Sequence, residues 1–266
     1  MKKKTVGFVI KNEEIATDIF SMWINTEIAA FAMPGQFVGV YTNDRSALLP
    51  RPISVCEVNK ERNALRLVYR VVGKGTGEFS HLQSGRRIML LGMLGNGYPT
   101  SAAKGKHAIL MGGGIGIPPI VELAKSLSGC GGYVAKTADR VSIILGFRDA
   151  ETFLVEELEQ YGKVYIATDD GSLGTKGNVI DAMKAEDINP DIIYACGPMP
   201  MLRGIKHTAE ERGICAYISL EERMACGVGA CLGCVCTTTS KNSHSHVNNA
   251  RICTDGPVFD SREVVI

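Results

Sequence analysis

Four cysteines toward the carboxyl end have the spacing of a metal–sulfur site. Cys226, Cys231 and Cys234 run Cys-x4-Cys-x2-Cys, and Cys253 follows after a longer gap. Thiolates in that rhythm match plant-type ligation of a [2Fe-2S] cluster, in which a tight loop turns backbone N–H groups toward the sulfurs. Gly227, Gly229, Ala230 and Gly233 let the main chain approach closely, while Val228, Leu232 and Val235 can shield the site from water, which tunes its potential. The chemistry implied is one-electron transfer. A structural zinc site is built from paired knuckles, and Cys231 with Cys234 makes one pair without a second. Cys56, Cys130 and Cys215 stand alone and read as buried, inert thiols. Cys236, two residues past Cys234, is open between replacing a ligand and packing beside the site.

A second set of residues suits phosphate and flavin. In Arg51-Pro52-Ile53-Ser54 the guanidinium can pair bidentately with a pyrophosphate, the proline stiffens the approach, and the hydroxyl can hydrogen-bond a flavin ring nitrogen. Val68-Tyr69-Arg70 follows on the next long strand. Gly73-Lys-Gly75-Thr76 then offers close backbone approach and a hydroxyl where a helix begins. Taken singly, each is an ordinary turn, strand aromatic or solvated charge; their order makes the signal.

A third set suits a dinucleotide. Gly112-Gly113-Gly114-Ile-Gly116-Ile-Pro-Pro119 follows a predicted strand and opens a predicted helix, whose N-terminus favours a diphosphate. It does not match Gly-x-Gly-x-x-Gly. Cys196-Gly197-Pro198-Met199 ends another predicted strand at the same carboxyl edge, where ligands of open α/β sheets bind. Cys196 is either a buried strand-end thiol or a neighbour of the nicotinamide. Gly146-Phe-Arg148-Asp149 supplies both signs of charge: Arg148 could accept a 2′-phosphate and Asp149 could hold ribose hydroxyls, so residues alone do not choose between NAD and NADP.

The elements that must position these groups fall into three predicted units. Residues 1–102 carry short apolar or alternating runs (20–24, 36–41, 53–58 and 65–72) separated by Pro, Gly, Asn and Asp, the pattern of a small antiparallel barrel. Residues 103–215 alternate strands (108–111, 141–145, 164–167, 192–195) with helices (118–127, near 153–158, and one reaching 211), the signature of a parallel sheet covered by helices. Residues 216–266 read as a short, irregular, cysteine-rich appendage, with 237–249 a solvated loop in which His244 and His246 are not expected to bind metal. The fold class is thus α/β with a β-barrel and a small cluster module.

With 266 residues, 45% of them hydrophobic, the chain can bury a core for two domains and an appendage. A net charge of +1 leaves no basic footprint for nucleic acid or an anionic membrane. Lys2, Lys3 and Lys4 resemble a signal-peptide start, yet the apolar run Val6 to Ile10 meets Lys11, Asn12, Glu13 and Glu14, so neither a secretory segment nor a spanning helix is expected. Nine cysteines without an export signal point to a reducing cytoplasm.

The order Arg-Pro-x-Ser, Gly-x-Gly-Thr, Gly-Gly-Gly-x-Gly-x-x-Pro, Cys-Gly-Pro-Met resembles the ferredoxin reductase superfamily over residues 1 to 215. With the run from Cys226 to Cys236, Cys253-Thr-Asp-Gly-Pro-Val-Phe259, Thr168-Asp-Asp-Gly-Ser172 and Gly174-Thr-Lys-Gly177, it resembles within it the electron-transfer subunits of bacterial NAD-dependent, type B dihydroorotate dehydrogenases. That resemblance implies FAD on Arg51 to Ser54, Val68 to Arg70, and Gly75 with Thr76. It implies NAD rather than NADP, and a [2Fe-2S] cluster on Cys226, Cys231, Cys234 and Cys253. It also implies an FMN-containing catalytic partner, a heterotetramer of two copies each, and a place in pyrimidine biosynthesis. Related electron-transfer subunits of sulfhydrogenases or of NADH-dependent ferredoxin:NADP oxidoreductase are the alternative. Three features depart from the wider pattern: Ile53 stands where many reductases have a stacking Tyr, the chain ends Val264-Val-Ile266 without an aromatic, and the gap from Cys234 to Cys253 is long, which makes Cys236 its rival.

Hydride transfer needs positioning, with nicotinamide and flavin about 3–3.5 Å apart, rather than an acid or base, so no catalytic acid, base or nucleophile is expected. No residues remain for a (β/α)8 domain of about 250 residues, so dihydroorotate chemistry would require the partner.

Overall fold

The structure is a computed structural model and describes residues 3–44, 46–133, 135–241 and 246–266. Strands β1 (Lys3–Ala16), β2 (Ile19–Asn25), β3 (Phe37–Tyr41), β4 (Arg51–Asn59) and β5 (Ala64–Arg70), helix α1 (Lys74–Ser80) and strand β6 (Arg87–Leu94) form the first unit. The strands close into a barrel in the order β1-β2-β5-β4-β3-β6, all neighbours antiparallel. On β5 the usual alternation of buried and exposed residues is lost, with Ala64 through Tyr69 all buried. Leu65, Leu67 and Tyr69 fill the barrel interior, while Val68 on the opposite face packs with Ile117 and Ile120 of the next unit.

The second unit runs β7 (His107–Gly113), α2 (Pro118–Ser128), β8 (Arg140–Phe147), α3 (Val155–Glu159), β9 (Lys163–Thr168), β10 (Thr175–Lys176), α4 (Val179–Ala185), β11 (Ile192–Cys196), α5 (Met199–Arg212) and β12 (Cys215–Ser219). The sheet order is β10-β9-β8-β7-β11-β12, all parallel, with the chain reversing direction of travel across the sheet at β7. Helix α2 starts on two prolines, whose missing N–H groups cost nothing in a first turn, and stops at Gly129 with φ 74°. Helix α4 is set by a capping box between Asn178 and Asp181.

Residues past Ser219 are more ordered than the sequence suggests. β13 (Val235–Thr237) and β14 (Asn249–Arg251) make a hairpin, and β15 (Val258–Asp260) joins the large sheet antiparallel to β12. Ile252, Cys253, Phe259 and Val264 are buried in the same core as Ile193, Ala216 and Ile218 of the sheet. Strand β12 spans residue 216, where the sequence places the start of its last unit. Among the described residues no helix is long and apolar enough to cross a membrane.

Candidate electron-transfer site

The flavin-type residues gather at the open end of β4, β5 and α1. Arg51 Nη1 donates to the carbonyls of Leu49 (2.5 Å) and Ala47 (3.5 Å), which pins the guanidinium against Gly75. A Cβ on Gly75 would lie 2.2 Å from Arg51 Nε, so this close approach requires glycine. Arg70 comes to the same end of β5 with its Nε buried and without a hydrogen-bond partner among the described residues. A buried, unpaired guanidinium nitrogen is costly, and an anionic ligand is the partner that would relieve it. Arg51, Arg70 and the Gly75 cradle therefore fit a bound diphosphate.

The other residues of this set are placed differently. Thr76 is buried and its hydroxyl is already engaged: it accepts from the Val72 and Gly73 N–H groups and donates to the Gly73 carbonyl. That hydroxyl caps the start of α1, which leaves the Thr76 main chain as its part of the proposed flavin site. Tyr69 turns into the barrel, stacked on Phe20 and edge-on to Phe79, with its hydroxyl donating to Asn12 at 3.3 Å. Only its main chain is available to a ligand. Val68 is buried on the outer face, Pro52 is exposed, Ser54 is half-buried, and Ile53 packs against the barrel core.

The dinucleotide-type residues come together. β7 and β11 are adjacent parallel strands with Gly112 opposite Cys196, so both loops leave the same carboxyl edge. A Cβ on Gly116 would stand 2.4 Å from the Cys196 carbonyl oxygen, and one on Gly113 would stand 2.6 Å from Met201 Sδ and 3.1 Å from Pro198. Gly197 in turn lies against the Gly113 backbone. Gly112 packs on Ile117, Gly114 takes φ 53°, and Met199 opens α5 half-buried. Burial pushes the Cys196 thiol up to about 12, which keeps it uncharged at neutral pH. Met201 behind Gly113 was not legible in the sequence, since only the fold brings it there. Nearby, Asp149 accepts the Glu151 N–H and Asp170 accepts from Ser172, while Arg148 is exposed. Gly116→Ala would force a methyl group into backbone that cannot move aside. The expected outcome is a protein that keeps its flavin and iron but is reduced by NADH far more slowly, as read by anaerobic stopped-flow absorbance.

The cysteines form two pairs. Cys226 Sγ accepts the N–H groups of Val228 (3.4 Å) and Ala230 (3.3 Å), and Cys231 Sγ accepts that of Gly233 at 3.5 Å. Burial pushes the Cys226 thiol up, but the N–H groups of Val228, Cys231 and Ala230 and the Cys231 thiol outweigh it and bring it down to about 6. Cys234 Sγ accepts the Cys253 N–H at 3.4 Å, and burial with the adjacent Cys234 pushes the Cys253 thiol up to about 11. The long gap is absorbed by the β13–β14 hairpin, which returns the chain so that the Ile252 N–H donates to the Cys234 carbonyl at 2.9 Å. Cys236 faces Ala250 within that hairpin, half-buried and raised by burial. His246 takes φ 58° in the connecting turn; His244 lies outside the described residues.

No group of three or more His, Cys, Asp or Glu among the described residues is gathered tightly enough for a single metal ion. A binuclear cluster asks for something else, two thiolates per iron with N–H groups facing the sulfurs, and this loop offers two thiol pairs and such N–H groups. Cys231 is exposed, Cys234 and Cys253 are buried, and of the apolar residues expected to shield the loop Val235 is half-buried while Val228 and Leu232 stand 39% and 63% exposed.

The thiol loop is seated on the barrel. Gly227 lies against Leu94 and Leu91 of β6, and the linker after β6 holds the returning chain through Asn96, whose N–H donates to the Gly256 carbonyl and whose amide donates to Asp255. Leu94 pairs with Phe37, and Phe37 pairs with Ser54. Two strand spacings, about 10 Å, thus separate the Ser54 main chain from the strand under the thiol loop. The chain end pairs with this hairpin, the Val265 N–H donating to Thr237, so it covers the cysteine module and not the flavin-type residues.

A closed antiparallel barrel, a parallel sheet with a glycine turn at its carboxyl edge and an appended thiol loop define a reductase of the ferredoxin reductase type with an iron–sulfur module. The chain is similar to the structure of the NADH-dependent reduced ferredoxin-NADP oxidoreductase, with a TM-score of 0.83, 30% identity, and 97% of this chain and 89% of that chain covered. The fold is also that of the ferredoxin reductase in carbazole 1,9a-dioxygenase, with a TM-score of 0.65 at 19% identity over 80% of this chain and 66% of that one. Residues 221–265 match the family described as the iron-sulfur cluster binding domain of dihydroorotate dehydrogenase B. A relative in Geobacillus sp. (strain WCH70) is 40% identical with all of both chains covered, and one in Bacillus caldolyticus is 44% identical over 88% of this chain and 87% of its own. Both bear the name dihydroorotate dehydrogenase B (NAD(+)), electron transfer subunit. The chain belongs to that family.

Proposed function

We propose that this protein is the electron-transfer subunit of a dihydroorotate dehydrogenase B, carrying electrons between NAD(H) and a partner catalytic subunit through FAD and one [2Fe-2S] cluster. FAD bound there would supply the link between two-electron hydride chemistry and one-electron transfer. The chain's own residues bind, orient and insulate. Arg51 and Arg70 hold the flavin's diphosphate, with Gly75 giving it room. The main chain of Val68 and Tyr69, Pro52, Ile53 and Ser54 frame the ring, and Thr76 fixes the start of α1. Gly112, Gly113, Gly114 and Gly116, with Cys196 to Met199 beside them, seat the pyridine nucleotide. Cys226 and Cys231 hold one iron, Cys234 and Cys253 the other. The observation that carries this reading is the seating of Gly227 on Leu94, which puts the thiol loop two strands from Ser54.

In this reading the three working units are residues 1–102, 103–215 and 216–266, and the protein works in the cytoplasm, where thiols stay reduced. The partner is an FMN-bearing subunit that interconverts dihydroorotate and orotate in pyrimidine biosynthesis, assembled as two copies of each chain. Its contact is the exposed rim of Val228, Cys231 and Leu232. The purified chain alone should oxidise NADH with artificial acceptors and should not reduce orotate until that partner is added. Orotate reduction by the single chain, or a partner of the nickel–iron or glutamate-synthase kind, would overturn the assignment.

A further inference from the structure

A cluster of buried charges lies where the barrel meets helices α2 and α3. Lys125 of α2 donates to Glu57 of β4 at 2.9 Å and to the Val58 carbonyl at 3.4 Å, and lies 3.4 Å from Glu122. Glu122 accepts the Val58 N–H at 2.8 Å and the Tyr133 hydroxyl at 2.9 Å. Beside them Arg66 of β5 grips Glu157 of α3 with both guanidinium amino groups and reaches Glu57 at 3.4 Å. Glu122, Lys125 and Arg66 are 2%, 4% and 7% exposed.

Stability is a weak reason for charges at this depth, because well-packed apolar residues in place of a buried ion pair are often neutral or better. What the cluster provides is direction. The Glu57–Lys125, Val58–Glu122 and Arg66–Glu157 bonds each fix an atom of α2 or α3 against an atom of β4 or β5, whereas apolar burial between the same elements is non-directional. The same two elements carry the cofactor residues at their other ends. β4 begins with Arg51–Ser54 and reaches Glu57 about 10 Å later, and α2 begins behind the glycine turn and reaches Glu122 about 9 Å past Gly116. On arms of this length a tilt of about 6° moves the far end by about 1 Å.

We propose that the Glu57–Lys125–Glu122 cluster, with Arg66–Glu157 beside it, is a positioning device for hydride transfer: it sets the nucleotide turn over the flavin strand without touching either ligand. The proposal rests on reading the chain as an NADH-to-flavin reductase. Its residues are positioning residues, acting through β4 and α2.

The test uses the holoprotein with FAD and cluster in place. The double substitution Glu122→Gln/Lys125→Met removes two opposite charges together, and the glutamine keeps an oxygen for the Val58 N–H. Flavin content, iron content, Tm and the NADH Kd should stay near those of the parent. The rate constant for flavin reduction by NADH should fall about 10–100-fold, the scale expected when reacting atoms are misplaced by about 1 Å. The long-wavelength charge-transfer band between nicotinamide and flavin should weaken with it. Glu57→Gln, at a half-exposed site, should give a smaller change of the same kind. Parent-like rates and charge-transfer bands in both variants would overturn the proposal, as would a double variant that cannot be isolated folded while Glu57→Gln reduces at the parent rate. If the parent's own flavin is reduced by dithionite but not by NADH, the functional reading falls, and the proposal with it.

Discussion

Cys234→Ala should yield a protein that is yellow but no longer red-brown: FAD retained, iron and acid-labile sulfide lost. Cys234 is 3% exposed, its sulfur accepts the Cys253 N–H, and with Cys253 it forms the buried pair of thiols. In the proposed ligation an iron would lose one of its two cysteine ligands, and Cys236, the residue that could replace it, is fixed in the β13–β14 hairpin opposite Ala250. The defect should stay local. β15 keeps its pairing with β12, and among the described residues those proposed to hold the flavin share no hydrogen bond with Cys234. Reduction of the flavin by NADH should therefore be little changed, while NADH-driven orotate reduction in the assembled complex is lost. Cys253→Ser should behave alike and Cys236→Ser should keep the full iron content. Absorption spectra with iron and sulfide analysis read all three. Iron retained in Cys253→Ser and lost in Cys236→Ser would exchange the two residues in the ligand set.

The residues that were legible in the sequence are those whose chemistry is local. Pro118 and Pro119 behind the glycine run fit a helix start because first-turn N–H groups have no intrahelical acceptor to lose, and the structure begins α2 there. The cysteine loop was legible because its thiols and glycines act within a few residues of one another. Strand β1 was missed because Lys11, Asn12, Glu13 and Glu14 break the apolar run, although in the barrel these residues continue the strand and pair with β2. The direction of Tyr69 was available and unused: with Leu65 and Leu67 it occupies every second position of β5, and that face is the barrel interior. The fate of the Thr76 hydroxyl depended on a turn geometry that the sequence does not spell out. The order of the last segment could not be read at all, since β15 is short and is held by pairing with β12 at the edge of the parallel sheet. The Glu57–Lys125–Glu122 cluster leaves no periodic trace, because its members lie far apart in the chain and meet only once both units have folded.

Arg70→Met should change two quantities in opposite directions. In the flavin-free chain the buried Arg70 Nε has no partner among the described residues, a defect of about 1–3 kcal/mol, so its removal should leave the apoprotein as stable or slightly more so. In the proposed flavin site the same nitrogen would make a charge-assisted hydrogen bond to the diphosphate, worth about 1.5–3 kcal/mol, so the variant's FAD affinity should fall about 10–100-fold. A residue that merely supported the fold would lose stability and affinity together. Arg51 contributes differently, since the Leu49 and Ala47 carbonyls already hold one end of its guanidinium and its loss leaves those acceptors at a half-exposed site. Arg51→Met should therefore cost both some apoprotein stability and FAD affinity, and the double variant should lose its flavin on gel filtration. Calorimetry of the apoproteins and titration of flavin fluorescence separate these outcomes. An unchanged FAD affinity in the double variant would place the diphosphate elsewhere, and with it the whole path from nicotinamide to the thiol loop.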